Sequence, residues 1–484
     1  MDRAEAEAIY DLGRETCVQS LVDLTAEVRE LRERLGRLEV QARQDSRTTS
    51  KPPSSDPPKS RAQRRAEARA KAKELMRRDG ERRQAGAQKG HRGAGRELKP
   101  EDQMDEIVDH FPELCGGCDH AFAVEQQRPG GRFGRHQIAE LPPASVVWTE
   151  HRTHQLRCRY CRARTTAVLP DELVGSPFGP RLQAAMVMLS ARYRVSRDGV
   201  SELAQELFGV SVSPGTVDAI CQRASEALAG PHLHVHDWVL DQGAAHIDET
   251  GWKTGGDGRA LWTVTTPEAA FFQIAEHCNR EQVKTLLGQY PGIVISDRWN
   301  GYDYLDANQR QACWSHIQRD FRRHSEGLAE QKTFGETGSE LTGRLFAAWR
   351  AYQHKHHDRD QLKTEIAPIQ TELRALLEAA SPKSQRTRWH RRFANNLLKI
   401  WPALWTFTNT DGVEPTNNPA ERALRGPVIN RKLSHGTRSN NGERFAERVL
   451  TAAVTCRLQH RSLFAYLSEL ITAHGRGDPF PELV

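Results

Sequence analysis

Three acidic residues stand where a chain could use them on phosphate chemistry. The stretch Ala245-His246-Ile247-Asp248 is an apolar approach that ends in a carboxylate, and Gly251 follows to mark a turn. In Gly292-Ile293-Val294-Ile295-Ser296-Asp297 a short run of buried-strand type again delivers an aspartate at its end. Glu421 comes later, in Asn417-Asn418-Pro419-Ala420-Glu421-Arg422, at the start of an expected helix. Hard divalent cations such as Mg²⁺ or Mn²⁺ take oxygen ligands. Two of them, roughly 3.5–4 Å apart, can clamp the attacking and leaving oxygens of an in-line phosphoryl displacement. Two strand-end aspartates and one helix glutamate can converge into such a centre. Spacing alone does not assemble them: 49 residues separate Asp248 from Asp297, and 124 separate Asp297 from Glu421.

Neighbouring residues open further possibilities. Strand alternation puts Glu249 on the face opposite Asp248, so the two are not expected to pair. Glu421 has a second reading: with Asn418 as N-cap and Pro419 at the first helical position, it falls where a capping-box glutamate belongs. Asn418, Arg422, Arg425, Arg431 and Lys432 line up beside it and could hold phosphates by charge-assisted bonds. His316, in Cys313-Trp314-Ser315-His316, could position DNA or a water, or be a satisfied structural histidine. Cys115 with Cys118 and Cys158 with Cys161 form two CxxC pairs, and four thiolates at this spacing suit a closed, structural, tetrahedral Zn²⁺ site. His136 or His154 replacing one thiolate is the alternative. The nine cysteines are an odd number, and Met1-Asp2-Arg3-Ala4-Glu5 lacks a secretory pattern. Metal thiolates in a reducing, cytoplasmic compartment are therefore expected over disulfides.

The elements that must position these groups follow from composition and periodicity. A chain of 484 residues suits about three domains. Hydrophobic content of 37% and a mean hydropathy of −0.69 imply polar linkers around modest cores. The net charge of +6 matters less than where the basic residues fall. No run approaches the ~18 apolar residues of a membrane span. Leu21, Leu24, Val28, Leu31, Leu35 and Leu38 alternate spacings of three and four, which predicts a coiled-coil helix over 1–42 and at least a dimer. An amphipathic helix packed on its own chain is the other reading. Residues 43–100 are Ser/Pro-rich and then basic, with Arg64, Arg65, Lys71, Lys73, Arg77 and Arg78 among them. That composition predicts a disordered linker able to neutralise phosphates without sequence choice.

Residues 101–172 hold the CxxC pairs as a zinc-binding module. Over 173–236 the period turns helical. A helix containing Leu182, Ala185, Met186 and Leu189 precedes a second one ending at Gly209 and a third capped by Ser213 with Pro214 at its first position. This is a helix-turn-helix-like pattern, whose last helix could enter a major groove; helix pairs of this kind also occur without DNA. Over 237–440, three strands, a helix and a buried strand predict a mixed sheet with helices on its faces. A nearly all-helical stretch, about 317–408, interrupts it. Its end carries Arg386, Arg388, Trp389, Arg391, Arg392, Trp401 and Trp405, which suits stacking on distorted DNA. Trp401 and Trp405, one turn apart, read more simply as core. Residues 441–484 form a helical tail. The fold class is thus multidomain α/β.

Asp248-Glu249-Thr250-Gly251-Trp252, Ser296-Asp297-Arg298-Trp299-Asn300-Gly301-Tyr302, Cys313-Trp314-Ser315-His316 and the block from Asn417 to Arg425 with Arg431-Lys432 resemble the transposases of the insertion sequence 66 family. The likeness extends in order through the zinc module, the helical pair, Gln88-Lys89-Gly90-His91-Arg92-Gly93 and the N-terminal helix. It implies a ribonuclease-H-like catalytic core with an Asp-Asp-Glu triad: Asp248 first, Asp297 second, Glu421 third, and the helical stretch as the family's insertion. It further implies an enzyme that binds transposon ends and, with Mg²⁺ or Mn²⁺, cuts and joins them to target DNA, with or without element-encoded accessory proteins. No covalent protein–DNA intermediate is needed. Thr416 stands where the family commonly has Asp, and Lys89 where it commonly has Pro; neither touches the triad. A non-catalytic DNA-binding regulator and a ribonuclease-H-like nuclease that cuts without joining are the rival readings.

Overall fold

The computed structural model describes residues 10, 13–43, 98–126, 135–139, 146–170 and 176–484. Nearly all of the expected basic linker lies outside them. The chain forms two units, Pro57–Ser145 on one hand, Met1–Asp56 with Val146–Val484 on the other.

In the smaller unit, one knuckle is well defined. Cys115 N–H donates to His120 O (2.8 Å), and Asp119, in the left-handed region, donates back to Cys115 O (2.9 Å).

The larger unit begins with α1 (Arg14–Arg43), a continuous helix along which Leu21, Leu31, Leu35 and Leu38 are each more than half exposed. A short hairpin, β1 (Gln155–Arg157) and β2 (Arg164–Thr166), presents the second knuckle. Four helices follow: α2 (Pro180–Ala191), α3 (Arg197–Phe208), α4 (Pro214–Ala227) and α5 (Ala229–Leu240). Their ends obey local chemistry. Ser196 accepts from Gly199 N at the start of α3, Gly209 closes it at φ +64°, and Ser213 caps α4 with Pro214 in its first turn. These helices are not set apart from the sheet that follows. Val200, Val217, Ile220 and Val235 share one continuous core with Ile247, Trp262, Val264 and Val294 of the sheet. The exposed positions of α4 include Asp218 and Glu226.

The sheet is built from β3 (Ala244–Thr254), β4 (Asp257–Thr265), β5 (Ala270–Ala275), β6 (Ile293–Ser296) and β7 (Arg310–Ala312), with α6 (Arg280–Leu287) between β5 and β6. Their order is β5-β4-β3-β6-β7, and β4 alone runs against the others. Two details depart from the sequence reading. Strand β3 does not end at Asp248 but continues to Thr254 and turns at Gly255 and Gly256, whose φ values are +60° and +103°. The three-residue β7 carries no periodic signal and was not foreseen.

Beyond β7, the insertion is helical as expected: α7 (Trp314–Ser325), α8 (Ala329–Gln353), α9 (Arg359–Ala380), α10 (Arg391–Lys399) and the short α11 (Thr406–Asn409). Phe321, Leu345, Leu373 and Phe407 give it a core, which Ile295 and Ala312 join from the sheet. Trp405 is buried there, packed between Trp314 (5.1 Å, tilted) and Trp401 (5.4 Å, edge-on), so this pair serves packing. The chain closes with α12 (Asn418–Ser434), α13 (Asn440–Leu458) and α14 (Leu463–Arg476).

Helix α13 seals the outer edge of β5. Thr455 Oγ1, Thr451 Oγ1 and Glu447 Oε2 accept from the amides of Ala270, Phe272 and Ile274 at 3.1, 3.0 and 3.0 Å. Four residues of helix rise about 6 Å and two residues of strand about 6.6 Å, so the two periods stay in step over three bonds.

Candidate active site

The sheet register brings the two aspartates together. His246 on β3 is paired with Ile295 on β6. Two residues further along the chain from each stand Asp248, still within β3, and Asp297, just past the end of β6, where the parallel pairing ends. Adjacent strands lie about 4.8 Å apart, so the carboxylates are neighbours. Each is half-occupied by the backbone: Asp248 Oδ1 accepts from Glu249 N (3.0 Å), and Asp297 Oδ1 from Trp299 N (2.9 Å). Neither Oδ2 has a donor among the described residues.

Glu421 reaches this point because Asn417 pins α12 to β3. The fully buried Asn417 donates from Nδ2 to Ile247 O (2.7 Å) and accepts on Oδ1 from Nδ1 of His246 (3.3 Å). Burial pushes His246 down to about 4, so the ring is neutral and holds its proton on Nδ1. With Asn417, not Asn418, at the N-cap, Glu421 falls at the fourth helical position rather than the third, and no side chain caps the helix. The capping-box reading is thereby corrected. Glu421 Oε1 is instead buried without a hydrogen-bond partner and lies 3.6 Å from Nδ1 of His316, which is likewise unpartnered.

Electrostatics reflect the crowding. Burial first, then the charges of Glu249, Asp297 and Glu421, hold Asp248 well above the ordinary carboxylate range. Strand alternation had separated Glu249 from this group. Its side chain does take the other face, where Tyr302 OH (3.3 Å) and Cys278 Sγ (3.6 Å) donate to it, yet it remains within electrostatic reach. Burial and then the charge of Asp297 push Glu249 up to about 7. Among the described residues no Lys or Arg forms an ion pair with Asp248, Glu249, Asp297 or Glu421. Burial pushes His316 below its usual value, opposed by the charge of Glu421.

The basic residues divide. Arg422, Arg425 and Lys432 are exposed along α12. Arg431 is engaged within the fold: its guanidinium donates to Thr250 Oγ1 (3.2 Å) and to Gly251 O, tying α12 to β3. Asn418 Oδ1 accepts from Ser315 Oγ (3.4 Å), joining α12 to α7. Arg298, next to Asp297, bridges to Asp320 on α7 and Asn396 on α10. Sequence reasoning gave no role to Glu249, His246 or Arg298. The Asn417-Asn418 pair was the one available signal for the anchor.

Away from this centre, the two CxxC knuckles repeat each other. As with Cys115, the Cys158 amide donates to the carbonyl five residues on, Ala163 (2.8 Å), and Arg162, in the left-handed region, donates back (3.0 Å). Amide donors, Gly117 foremost for Cys115 and Cys161 foremost for Cys158, hold both first thiols below their ordinary value. Cys115 and Cys118 belong to the smaller unit, Cys158 and Cys161 to the larger. No helix among the described residues is long and apolar enough to cross a membrane.

Comparison with known proteins now gives this arrangement a family. Residues 3–97 match a family of unknown function, DUF6444. Two relatives come from Sinorhizobium fredii (strain NBRC 101917 / NGR234). The uncharacterized protein y4hP is 22% identical over 415 residues, 77% of this chain and 72% of the relative. The uncharacterized protein y4qI is 23% identical over 242 residues, 45% of this chain and 42% of the relative. Residues 175–444 match the IS66 transposases. Because that match spans more than half of the chain and takes in Asp248, Asp297 and Glu421, the chain belongs to the IS66 family of transposases.

Proposed function

We propose that the chain is a metal-dependent DNA transposase of the Asp-Asp-Glu type, with Asp248, Asp297 and Glu421 as its triad on a ribonuclease-H-like sheet. One observation carries this reading. Half-buried carboxylates crowd together, with Glu421 Oε1 buried and unpartnered and without a cationic side chain paired to them, an arrangement that repels itself until a cation arrives. Oxygen-only donors fit Mg²⁺ or Mn²⁺. A sheet ordered β5-β4-β3-β6-β7 with β4 reversed supports the ribonuclease-H-like description. When bound, the ions supply Lewis-acid activation of the scissile phosphate and of the attacking hydroxyl.

The protein's own groups do the rest. Backbone amides fix one oxygen of each aspartate and aim the other inward. Asn417 sets the depth from which Glu421 enters. Arg422, Arg425 and Lys432 on α12 hold DNA phosphates by charge-assisted bonds, and Arg431 keeps that helix on β3. The repeated knuckles supply thiolate pairs to structural Zn²⁺. The exposed seam of α1 joins a second copy of the chain. The α3–α4 pair is better suited to supporting the sheet than to reading a groove. Much of α4 is buried, Asp218 on its exposed surface is already paired with Arg197 (3.1 Å), and Glu226 there would repel phosphates.

The test is cleavage and joining of labelled transposon-end DNA in Mg²⁺, with wild type beside Asp248→Asn. Joined products from wild type and none from the variant, with end binding retained by both, are expected. A variant that still cuts would sink the triad assignment. Cutting without joining would favour a nuclease, and binding without chemistry in either protein a regulator.

A further inference from the structure

Cys313, His316 and Glu421 gather a thiol, an imidazole and a carboxylate around one point. Their sulfur, nitrogen and oxygen atoms all lie within 4.8 Å of one another. Cys313 is the N-cap residue of α7 and His316 is its third residue, so both face the same end of that helix. Glu421 comes in from α12. His316 Nδ1 and Glu421 Oε1 are buried and without hydrogen-bond partners. Their separation of 3.6 Å is too long for a hydrogen bond. It suits two ligands of a single ion: a tetrahedral centre with bonds of about 2.0–2.3 Å keeps its ligand atoms about 3.3–3.8 Å apart.

We propose that Cys313, His316 and Glu421 form a binding site for a soft divalent ion of the Zn²⁺ class, which shares Glu421 with the hard-cation centre. Thiolate and imidazole select Zn²⁺ over Mg²⁺ by softness. Burial pushes the Cys313 thiol up to about 11, opposed by the amides of Asn417 (3.1 Å), His316 and Ser315, so Zn²⁺ binding here releases the thiol proton to solvent. A small closure of the three side chains completes the ligand distances. Because one carboxylate serves both sites, Zn²⁺ bound here withdraws Glu421 from the Mg²⁺ centre. This competition rests on the triad reading above, whereas the ion site itself does not.

Co²⁺ is the probe, titrated into the purified full-length chain, since thiolate–cobalt bonding gives a charge-transfer absorption. Wild type is expected to take up one equivalent more than Cys313→Ser or His316→Gln, with a difference spectrum of a single thiolate. Equal uptake and equal spectra in all three proteins overturn the site. Circular dichroism checks folding; should Cys313→Ser unfold, His316→Gln decides. In a second arm, Zn²⁺ is added to end cleavage in Mg²⁺. Cys313→Ser is expected to raise the half-inhibitory Zn²⁺ concentration at least tenfold. An unchanged half-inhibitory concentration overturns the sharing of Glu421. Absence of cleavage in Mg²⁺ alone counts against the triad reading, and the Co²⁺ arm still decides the site.

Discussion

Glu249→Gln tests whether the carboxylate cluster is strained in the absence of metal. Glu249 is pushed from 4.5 up to about 7, by burial first and by Asp297 second. A carboxyl group whose folded value is raised contributes its full stability below 4.5 and loses it as pH rises through about 7. At about 1.4 kcal/mol per pH unit, the loss across that window is about 3 kcal/mol. For a domain of roughly 150–250 residues that would be about 6–12 °C in Tm, and for this larger unit the shift is smaller. Glutamine keeps the shape, still accepts from Tyr302 OH and carries no charge. In buffer without Mg²⁺, melting at pH 5 and pH 8 should show the variant gaining on wild type by up to that amount at the higher pH. Added Mg²⁺ should shrink the gain, because bound cations offset the same repulsion in wild type. A gap between the two proteins that stays constant from pH 5 to pH 8, or narrows, would refute the reasoning.

Two further outcomes follow from packing. Thr451→Val and Thr455→Val keep side-chain volume but strip buried β5 amides of their acceptors, costing about 1–3 kcal/mol each in chemical denaturation; variants as stable as wild type would show that the edge is satisfied in another way. Leu31→Glu places a charge in the seam of α1 and should convert a dimer to a monomer by light scattering without altering the melting of the sheet; an unchanged mass would assign self-association elsewhere.

The centre was legible in parts. Asp248 and Asp297 stood out because short apolar runs led into them, and the structure pairs those runs as parallel neighbours. What the sequence could not supply was register: only the pairing of His246 with Ile295 makes the aspartates adjacent. Glu421 depended on a single residue of helix phase. A start one place earlier moved it from a capping position to an unpartnered one, and no local pattern distinguishes Asn417 from Asn418 as the cap. Glu249 was misjudged for a different reason. Alternation assigns a side chain to a face, but charges act through a sheet whose neighbours are buried. The Cys313-to-His316 spacing was visible, while its third partner lay about a hundred residues away. β7 is too short for any period to emerge.

The seal on β5 also sets a schedule for synthesis. Its donors and acceptors are 173 to 185 residues apart in the chain. At about 5–20 residues per second, the strand's open edge waits roughly 9–40 s for its cover to leave the ribosome. During that interval it is a template for pairing with other nascent chains. The IS66 match stops at residue 444, three residues before the first of the sealing side chains. A protein shortened to the matched region would therefore keep all three acidic residues and still present a bare, aggregation-prone strand.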